Sequence, residues 1–466
     1  MKKCIGVVAV LLMVMTAAVM AQDETDDYSL QGSSYQDYYT FDFTGAGARA
    51  QGMGNAFIAV SDDITAGTWN PAGLVTIEGP MLSLSYGSIV PKGYTDYSGT
   101  VISGIQRFNH DRGLSGVSDL CFVAPFRVKG RPFVGSFSYN TEFTDLYQMA
   151  WLDSMQIPLT VSRNNIAVTE DFDLNTTDDR RFRARVASAT FSFGTRLTSR
   201  LAAGLGVNVY TGHGTTEITH INYIHDYPVS PGEQPVLMTE DYYDVDTAKY
   251  SGIGFTLGLK YTVDKNSLAM VIKTPFDLRV KTNKSIYVIN SINGLPQSTG
   301  TDTTFYDDIL IKYHMPFMVA LGYARQVNEN LLVSATAEYR AFSSSKVRIR
   351  ESYKLDQSGK TTETFSEVDP EWDDVFIFRI GTEYMKQTSF GLVPIRAGFG
   401  VVPTPIPNLD GSPTRVDLSA GTGIHWSQIH LDWAYTYSMI DRDFETTGLE
   451  IKVKNHDVGF TFTGYF

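Results

Sequence analysis

The sequence predicts an all-β protein, a transmembrane antiparallel β-barrel of about fourteen strands whose lumen is plugged by an N-terminal hatch. Three observations predict it. The chain begins with an export signal, apolar and polar residues alternate with a period of two along many later segments, and the connections between those segments alternate between short and long. The expected organisation is a signal peptide at 1–21, an acidic segment at 22–44, a hatch at 45–78 and the barrel at 79–466.

The N-terminus has the three parts of a secretory signal peptide. Lys2 and Lys3 precede a short apolar run at 5–20, and Ala21 supplies the small residue expected at the cleavage point. The mature chain then keeps one cysteine, Cys121, so no intramolecular disulfide is possible. The net charge of −13 and the lack of a basic stripe argue against nucleic-acid binding.

The stretch 45–74 is rich in glycine and alanine and is too broken by glycine for a stable helix, although 55–60 is long enough for a short strand. It precedes the first amphipathic strand, so we interpret it as a plug inside the barrel. The residues predicted to matter in this hatch are Gly52, Gly54, Phe57, Asp62, Asp63, Trp69, Asn70, Pro71 and Ala72.

Several hatch residues have two possible roles. Phe57 and Trp69 suit packing against the wall, with contact to a ligand or the lumen as the alternative. Asp62 and Asp63 suit pairing with lumen arginines such as Arg379 and Arg396, and cation binding is the alternative. Asn70 and the proline after it predict a turn into the first strand, and the stronger hypothesis is that they also hold the hatch in place.

The barrel strands are predicted from their alternation. Ile429, Leu431 and Trp433 point to one face of a strand, while His430 and Asp432 point to the other. The predicted strands are at about 80–90, 117–128, 131–143, 183–198, 200–213, 247–263, 266–282, 311–326, 330–345, 374–388, 390–402, 414–427, 428–440 and 449–466.

The connections between these strands separate a membrane barrel from a soluble sandwich. Short turns at 129–130, 199, 264–265, 328–329, 389 and 426–428 alternate with long segments such as 144–182, 214–246 and 346–373. Outer-membrane barrels have short periplasmic turns and long outside loops, and an even strand number places both termini in the periplasm. The closing Tyr465-Phe466 resembles the C-terminal signal that the barrel assembly machinery reads.

Two further groups of side chains are candidates for the transport path. Thr144-Asp145 suits the cap of a short helix at 143–158 that ends at Pro158. Packing of this loop over the barrel mouth is the simpler role for its residues, and an entrance groove is the sharper hypothesis. The groove residues are Phe143, Leu146, Tyr147, Trp151 and Met155, and the predicted lumen charges are Arg340, Arg379 and Arg396.

The chain resembles the FadL-like family of outer-membrane transporters for long-chain fatty acids and aromatic hydrocarbons. The resemblance rests on the segments 52–56, 61–63 and 70–74 in the hatch, and on 252–261, 316–323, 330–339, 395–400, 420–423 and 431–437 in the wall. It implies a barrel of fourteen strands and passive uptake of a hydrophobic small molecule with lateral exit into the membrane. A monomer embedded in outer-membrane lipid and lipopolysaccharide is expected.

No enzymatic site is predicted. His213, His220 and His225 lack the spacing of a zinc site, and no serine is identifiably placed beside His430. We therefore expect no catalytic residues, metal or cofactor. The alternatives are a secretion or surface-attachment barrel similar to those of type IX secretion and, less favoured, a general porin. A dry apolar lumen leading to a gap in the wall would favour uptake.

Overall fold

The computed structural model describes residues 45–97, 107–110, 114–163, 166–227, 236–292, 295–296, 302–355, 361–405, 414–444 and 449–466. The predicted signal peptide and the whole acidic segment, 22–44, lie outside these residues. Among the described residues, no helix is long and apolar enough to cross a membrane.

The described residues form two short α-helices, two 3-10 helices and twenty strand segments. The α-helices are α1 (Ala48–Gly52) and α2 (Ala66–Trp69), and the 3-10 helices are Pro71–Thr76 and Phe342–Ser344. The strands are β1 (Met81–Tyr97), β2 (Arg107–His110), β3 (Leu114–Val128), β4 (Arg131–Arg163), β5 (Ile166–Arg196), β6 (Leu201–Tyr227), β7 (Val236–Val263), β8 (Asn266–Lys273), β9 (Phe276–Ile292), β10 (Leu295–Pro296), β11 (Asp302–Met315), β12 (Met318–Gln326), β13 (Leu331–Arg340), β14 (Val347–Leu355), β15 (Thr361–Val368), β16 (Val375–Thr388), β17 (Gly391–Pro403), β18 (Thr414–His425), β19 (Ile429–Phe444) and β20 (Leu449–Tyr465).

The sheet closes on itself as a barrel of fourteen antiparallel strands. Met81 of β1 is opposite Val123 of β3 on one side and Tyr465 of β20 on the other. Four barrel strands consist of two segments each, namely β8 with β9, β11 with β12, β13 with β14 and β15 with β16, while β2 and β10 are short additional segments. The fold class predicted from alternation and connection length is confirmed.

Prolines interrupt two neighbouring barrel strands at the same level. Pro275 separates β8 from β9, and Pro316 separates β11 from β12, because proline has no N–H to donate to the ladder. The residues that face inward change from odd to even numbers across the first interruption. Val271 faces inward before it and Leu278 faces inward after it. The prediction of unbroken strands at 266–282 and 311–326 was wrong in this respect.

The outward face carries an apolar belt, while the two ends of the barrel differ greatly. Ile253, Phe255, Leu257 and Leu259 form one row of this belt on β7 and are 59%, 46%, 48% and 38% exposed. At one end the turns are tight, as at residues 129–130, whose φ angles of 48° and 80° match the right-handed twist of a hairpin. At the other end, strands β4 to β7 continue well beyond the belt.

The predicted helix at 143–158 is wrong, because these residues belong to β4. That strand has 33 residues and pairs with β5 from Phe133 to Arg163. Much of the predicted loops at 144–182 and 214–246 is likewise paired strand. The side chains of the predicted groove residues Phe143, Leu146, Tyr147, Trp151 and Met155 lie outside those that the structure describes.

Candidate functional site

The hatch, residues 45–78, lies inside the barrel and is almost entirely buried. Helices α1 and α2 have five and four residues, so each is about one turn, which agrees with a sequence too rich in glycine for a longer helix. Asn55 and Gly54 both have positive φ angles, 59° and 63°, and reverse the chain after α1. No strand forms at 55–60, although the sequence there is long enough for a short one.

Asn70, Pro71 and Ala72 begin the 3-10 helix and also fix the hatch to the wall. The Asn70 side chain accepts a hydrogen bond from the Ala72 N–H at 3.0 Å, and Pro71 occupies the first position, where an N–H is not needed. Asn70 Nδ2 donates to the carbonyl oxygens of Ile58 at 3.1 Å and Leu259 at 3.2 Å. The last bond crosses from the hatch to β7, so the motif makes the predicted turn and contacts the wall.

Wall glycines allow the hatch backbone to touch the barrel. A methyl group on Gly381 of β16 would overlap the Met53 carbonyl oxygen, and one on Gly398 of β17 would overlap the Gly54 nitrogen. Similar close approaches occur on β5, β6, β7, β12, β18 and β20, at Gly194, Gly204, Gly258, Gly322, Gly421 and Gly459. The hatch is therefore fitted to eight of the fourteen wall strands, and side chains at these positions would displace it.

Arg49 is the main ionic link between hatch and wall. Its guanidinium donates two hydrogen bonds to Glu383 on β16, at 2.9 and 2.8 Å, and a third to Asp62 at 2.6 Å. Asp63 lies 3.4 Å from the same guanidinium and accepts hydrogen bonds from the Thr65 N–H and hydroxyl at 2.9 and 2.6 Å. Asp62 and Asp63 thus pair with an arginine of the hatch itself.

The charges around Arg49 set the pKa values of the hatch groups. Burial by itself lowers the pKa of Arg49, but Asp62 and Glu383 hold it well above its usual value. Burial raises the pKa of Asp63, and the opposing effects of Arg49 and Thr65 do not cancel this rise. Arg49 is therefore a permanent cation here, whereas the charge of Asp63 is disfavoured.

The ionic network continues from Glu383 into the wall. Arg396 Nε donates to Glu383 at 2.6 Å, and its Nη1 donates to Asp432 at 2.6 Å. Asp432 also lies 2.9 Å from His425 Nε2, and the His425 ring stacks on His430 at 3.8 Å between centroids. The predicted lumen charge Arg396 is thus buried among carboxylates of the wall.

The predicted lumen residues Arg340 and Arg379 form a second pair of contacts. Arg340 Nε bonds Glu338, and Arg379 Nη1 lies 3.4 Å from the other oxygen of the same carboxylate. The predicted pairing of Asp62 and Asp63 with Arg379 and Arg396 was wrong, because nearer carboxylates on the wall occupy both arginines. In the described part of the chain, no group of His, Cys, Asp and Glu is arranged to hold a metal ion.

Phe57 and Trp69 are packed within the hatch and against the wall. Their rings lie 5.9 Å apart in an edge-to-face arrangement, and Trp69 Nε1 donates to the Ala46 carbonyl oxygen at 2.9 Å. Phe57 is fully buried and belongs to a cluster that includes Val271 and Ala320 of the wall. Neither ring faces open lumen, so this structure places both in the packing role.

Another part of the lumen is lined by an apolar cluster that the sequence did not predict. Tyr210 of β6 stacks on Phe276 of β9 at 4.4 Å, and Phe342 packs edge-to-face on Trp372 at 5.9 Å. The apolar lumen cluster consists of Phe182, Ala184, Val186, Tyr210, Tyr250, Leu278, Val280, Tyr313, Met315, Phe342, Val347, Trp372, Val375, Ile377 and Val402. All of these apolar side chains are buried, whereas the inward face of a water-filled barrel is polar.

The wall pairing is incomplete between β3 and β4. Pairing of β3 with β4 runs from Val128 to Asp119, which is opposite Asn140. Beyond this point residues 114–117 of β3 pair with β1 alone, and β4 pairs with β5 alone. Arg185 of β5 reaches across this β3–β4 gap and bonds Thr141 at 3.0 and 3.1 Å and the Val117 carbonyl oxygen. Val186 of the apolar lumen cluster is opposite Phe143, one strand from the gap.

A family model described as outer membrane protein transport protein (OMPP1/FadL/TodX) matches residues 40–461. No curated protein sequence matches the chain. Three crystal structures are similar in fold. The Ralstonia pickettii toluene transporter TbuX has 17% identity and a TM-score of 0.54, and the match covers 92% of this chain and 100% of that one. The Pseudomonas putida toluene transporter TodX has 16% identity and a TM-score of 0.54, with 91% and 99% of the two chains covered, and a Pseudomonas aeruginosa FadL homologue has 15% identity and a TM-score of 0.53, with 91% and 99% covered.

Proposed function

Because the chain belongs to the OMPP1/FadL/TodX family of outer membrane transport proteins, we propose that it takes up long-chain fatty acids or aromatic hydrocarbons passively. The apolar lumen cluster carries this proposal. A water-filled pore gives no help to a hydrophobic solute, since entering water is what costs it free energy. A lumen lined by buried apolar side chains offers such a solute a path past the polar outer leaflet.

The proposed exit is the β3–β4 gap. Val186 places the apolar lumen cluster next to the point where pairing between β3 and β4 ends. A solute that leaves here enters the membrane sideways and does not pass the hatch. The contacts of Asn70 and Arg49 with the wall favour a hatch that stays seated while solute moves above it.

The proposal also covers the orientation and the surroundings of the barrel in the membrane. We place both termini in the periplasm, because Phe466 N–H donates to the Pro80 carbonyl oxygen at 3.0 Å at the end with short turns. The signal peptide at 1–21, recognition of the C-terminal aromatic by the barrel assembly machinery, contact with lipopolysaccharide and a monomeric state belong to this proposal. It includes no catalytic residue, metal or cofactor.

Uptake by cells that lack their own transporter of this class tests the proposal. Cells expressing the chain should accumulate labelled oleate or toluene faster than cells with an empty vector. Leu278→Gln places an amide in the apolar lumen cluster, where an unbonded amide costs about 1–3 kcal/mol, so uptake should fall roughly tenfold. The volume-conserving Leu278→Met should keep most of the rate.

Two results would contradict the proposal. One is equal uptake of both hydrophobic probes by Leu278→Gln and wild type at matched surface levels. The other is a large steady ion conductance of the wild-type protein in a planar bilayer, which would favour the general porin.

A further inference from the structure

A group of cations lies on the outward face of the strands that extend past the apolar belt. This cationic strip consists of Arg183 on β5, His213 on β6, Lys249 on β7, Arg279 and Lys281 on β9, and Lys312 on β11. Five of the six side chains are exposed, and Lys312 is half-buried, with its Nζ 3.8 Å from the centre of the Phe365 ring. The protein as a whole is acidic, with a net charge of −13, so this concentration of positive charge is local.

The pairing register brings the cations of the strip together. Lys249 is directly opposite Lys281, and Arg279 is directly opposite Lys312. Lys249 is also diagonal to Arg279, which is opposite Ser251. Like charges that are directly opposite on neighbouring strands destabilise a sheet. An anion bound beside Lys249 and Arg279 would lessen this repulsion.

Carboxylates on the same face are engaged elsewhere. Asp277 lies 3.0 Å from His314 Nδ1, and Glu367 accepts a hydrogen bond from Arg348 at 2.8 Å. Among the side chains that the structure describes, no carboxylate is within ion-pair distance of Lys249 or Arg279. Within the described residues, these two cations are therefore available to a negatively charged group.

The height of the strip matches the polar surface of a membrane. Arg279 is opposite Ser251, two residues above Ile253, which is the uppermost residue of the exposed apolar row on β7. Lys249 is four residues above Ile253, or about 10 Å along the barrel axis for a tilted strand. The strip therefore follows the edge of the apolar belt at the end with the long hairpins, which faces outward in the orientation proposed above.

We propose that the cationic strip binds the phosphate groups of lipopolysaccharide in the outer leaflet. A phosphorylated glycolipid places its anionic groups just above its acyl chains, and the strip stands just above the belt that those chains cover. Charge-assisted hydrogen bonds from lysine and arginine to phosphate are strong and need no carboxylate partner. The hydroxyl groups of Thr211, Thr215 and Ser251, which are exposed beside the cations, are further donors to such a headgroup.

Native mass spectrometry of the detergent-purified protein tests the proposal independently of transport. The probes are diphosphorylated lipid A, the same lipid with its phosphates removed, and phosphatidylglycerol. The wild-type protein should bind diphosphorylated lipid A at least about tenfold more tightly than either of the others. The triple substitution Lys249→Gln, Arg279→Gln and Lys312→Gln should weaken this binding on the order of 100-fold.

A matched control removes three exposed cations from the opposite end of the barrel, by Lys129→Gln, Arg131→Gln and Lys265→Gln. It changes the net charge equally and should leave lipid A binding within about twofold of wild type. Equal binding of phosphorylated and dephosphorylated lipid A to the wild-type protein would overturn the proposal without any variant. So would equal binding of phosphatidylglycerol, or an equal loss in the two triple variants. None of these results bears on the uptake of hydrophobic solutes.

Discussion

Replacing Arg49 by leucine should loosen the hatch. The substitution removes two hydrogen bonds to Glu383, at 2.9 and 2.8 Å, and one to Asp62. The Arg49 and Glu383 side chains are only 16% and 3% exposed, so the pair is shielded from water. Removing one partner of a buried ion pair costs about 3–5 kcal/mol. Glu383 keeps Arg396 as a second partner, which places the expected loss near 3 kcal/mol.

A loss of about 3 kcal/mol raises the ratio of unseated to seated hatch by roughly 100-fold. The assay is a planar-bilayer recording, in which an unseated hatch appears as transient current steps. Arg49→Leu should open far more often than the wild type, and cells expressing it should become more sensitive to large hydrophilic antibiotics.

A second buried arginine supplies the control. Arg340 bonds Glu338 on the same wall strand, β13, and both side chains are buried. Arg340→Leu should lower the stability of the barrel without raising the opening frequency. In the double variant Arg49→Leu/Glu383→Leu, the added loss should be smaller than the sum of the two single losses, since both substitutions remove the same ion pair. If Arg49→Leu opens no more often than the wild type, the idea that this ion pair holds the hatch is refuted.

Two further substitutions examine the seat of the hatch. Gly258→Ala places a methyl group onto Asn70 Oδ1 and should cost about 1–3 kcal/mol, which would be seen as more frequent current steps. Gly400→Ala is the control, because the nearest atom to its methyl group would be 3.5 Å away, and it should behave like the wild type. Asp63→Asn keeps an oxygen that accepts from Thr65 and removes a charge that burial disfavours, so it should be well tolerated. Because its folded pKa is raised, Asp63 contributes stability at low pH that is lost as the pH rises through that pKa. The wild-type hatch should therefore open more often as the pH rises over that range, and Asp63→Asn should show a flatter dependence of opening on pH. An equal pH dependence of the two proteins would contradict the raised pKa of Asp63.

The sequence predicts the barrel well because lipid imposes a simple rule on it. Ile429, Leu431 and Trp433 must face hydrocarbon while their neighbours face inward, and no distant contact is needed to read this alternation. The pairing of the last strand, β20, with β1 follows because a closed barrel must join its last strand to its first. Fold class and most strand positions within the belt were therefore predictable.

Contacts between distant residues could not be read in the same way. Leu146, Tyr147 and Trp151 match a helical spacing, yet pairing with β5 keeps this segment in a strand. Arg49 and Glu383 are 334 residues apart, and neither has a local motif that indicates its partner. Gly398 was recognised as part of a strand, but only the packed structure connects its missing side chain to the hatch.

The fit of the wall glycines to the hatch also limits how the barrel can be assembled. The hatch is joined directly to β1, and β1 forms the closing seam with β20, the last strand of the chain. A barrel that closed first would have to admit a preformed hatch through one of its ends, past positions such as Gly381 and Gly398 that leave no clearance. Closing the seam around a hatch already in place requires no such passage. In that order of assembly, the hatch would be a template around which the wall strands pair, before it is a plug.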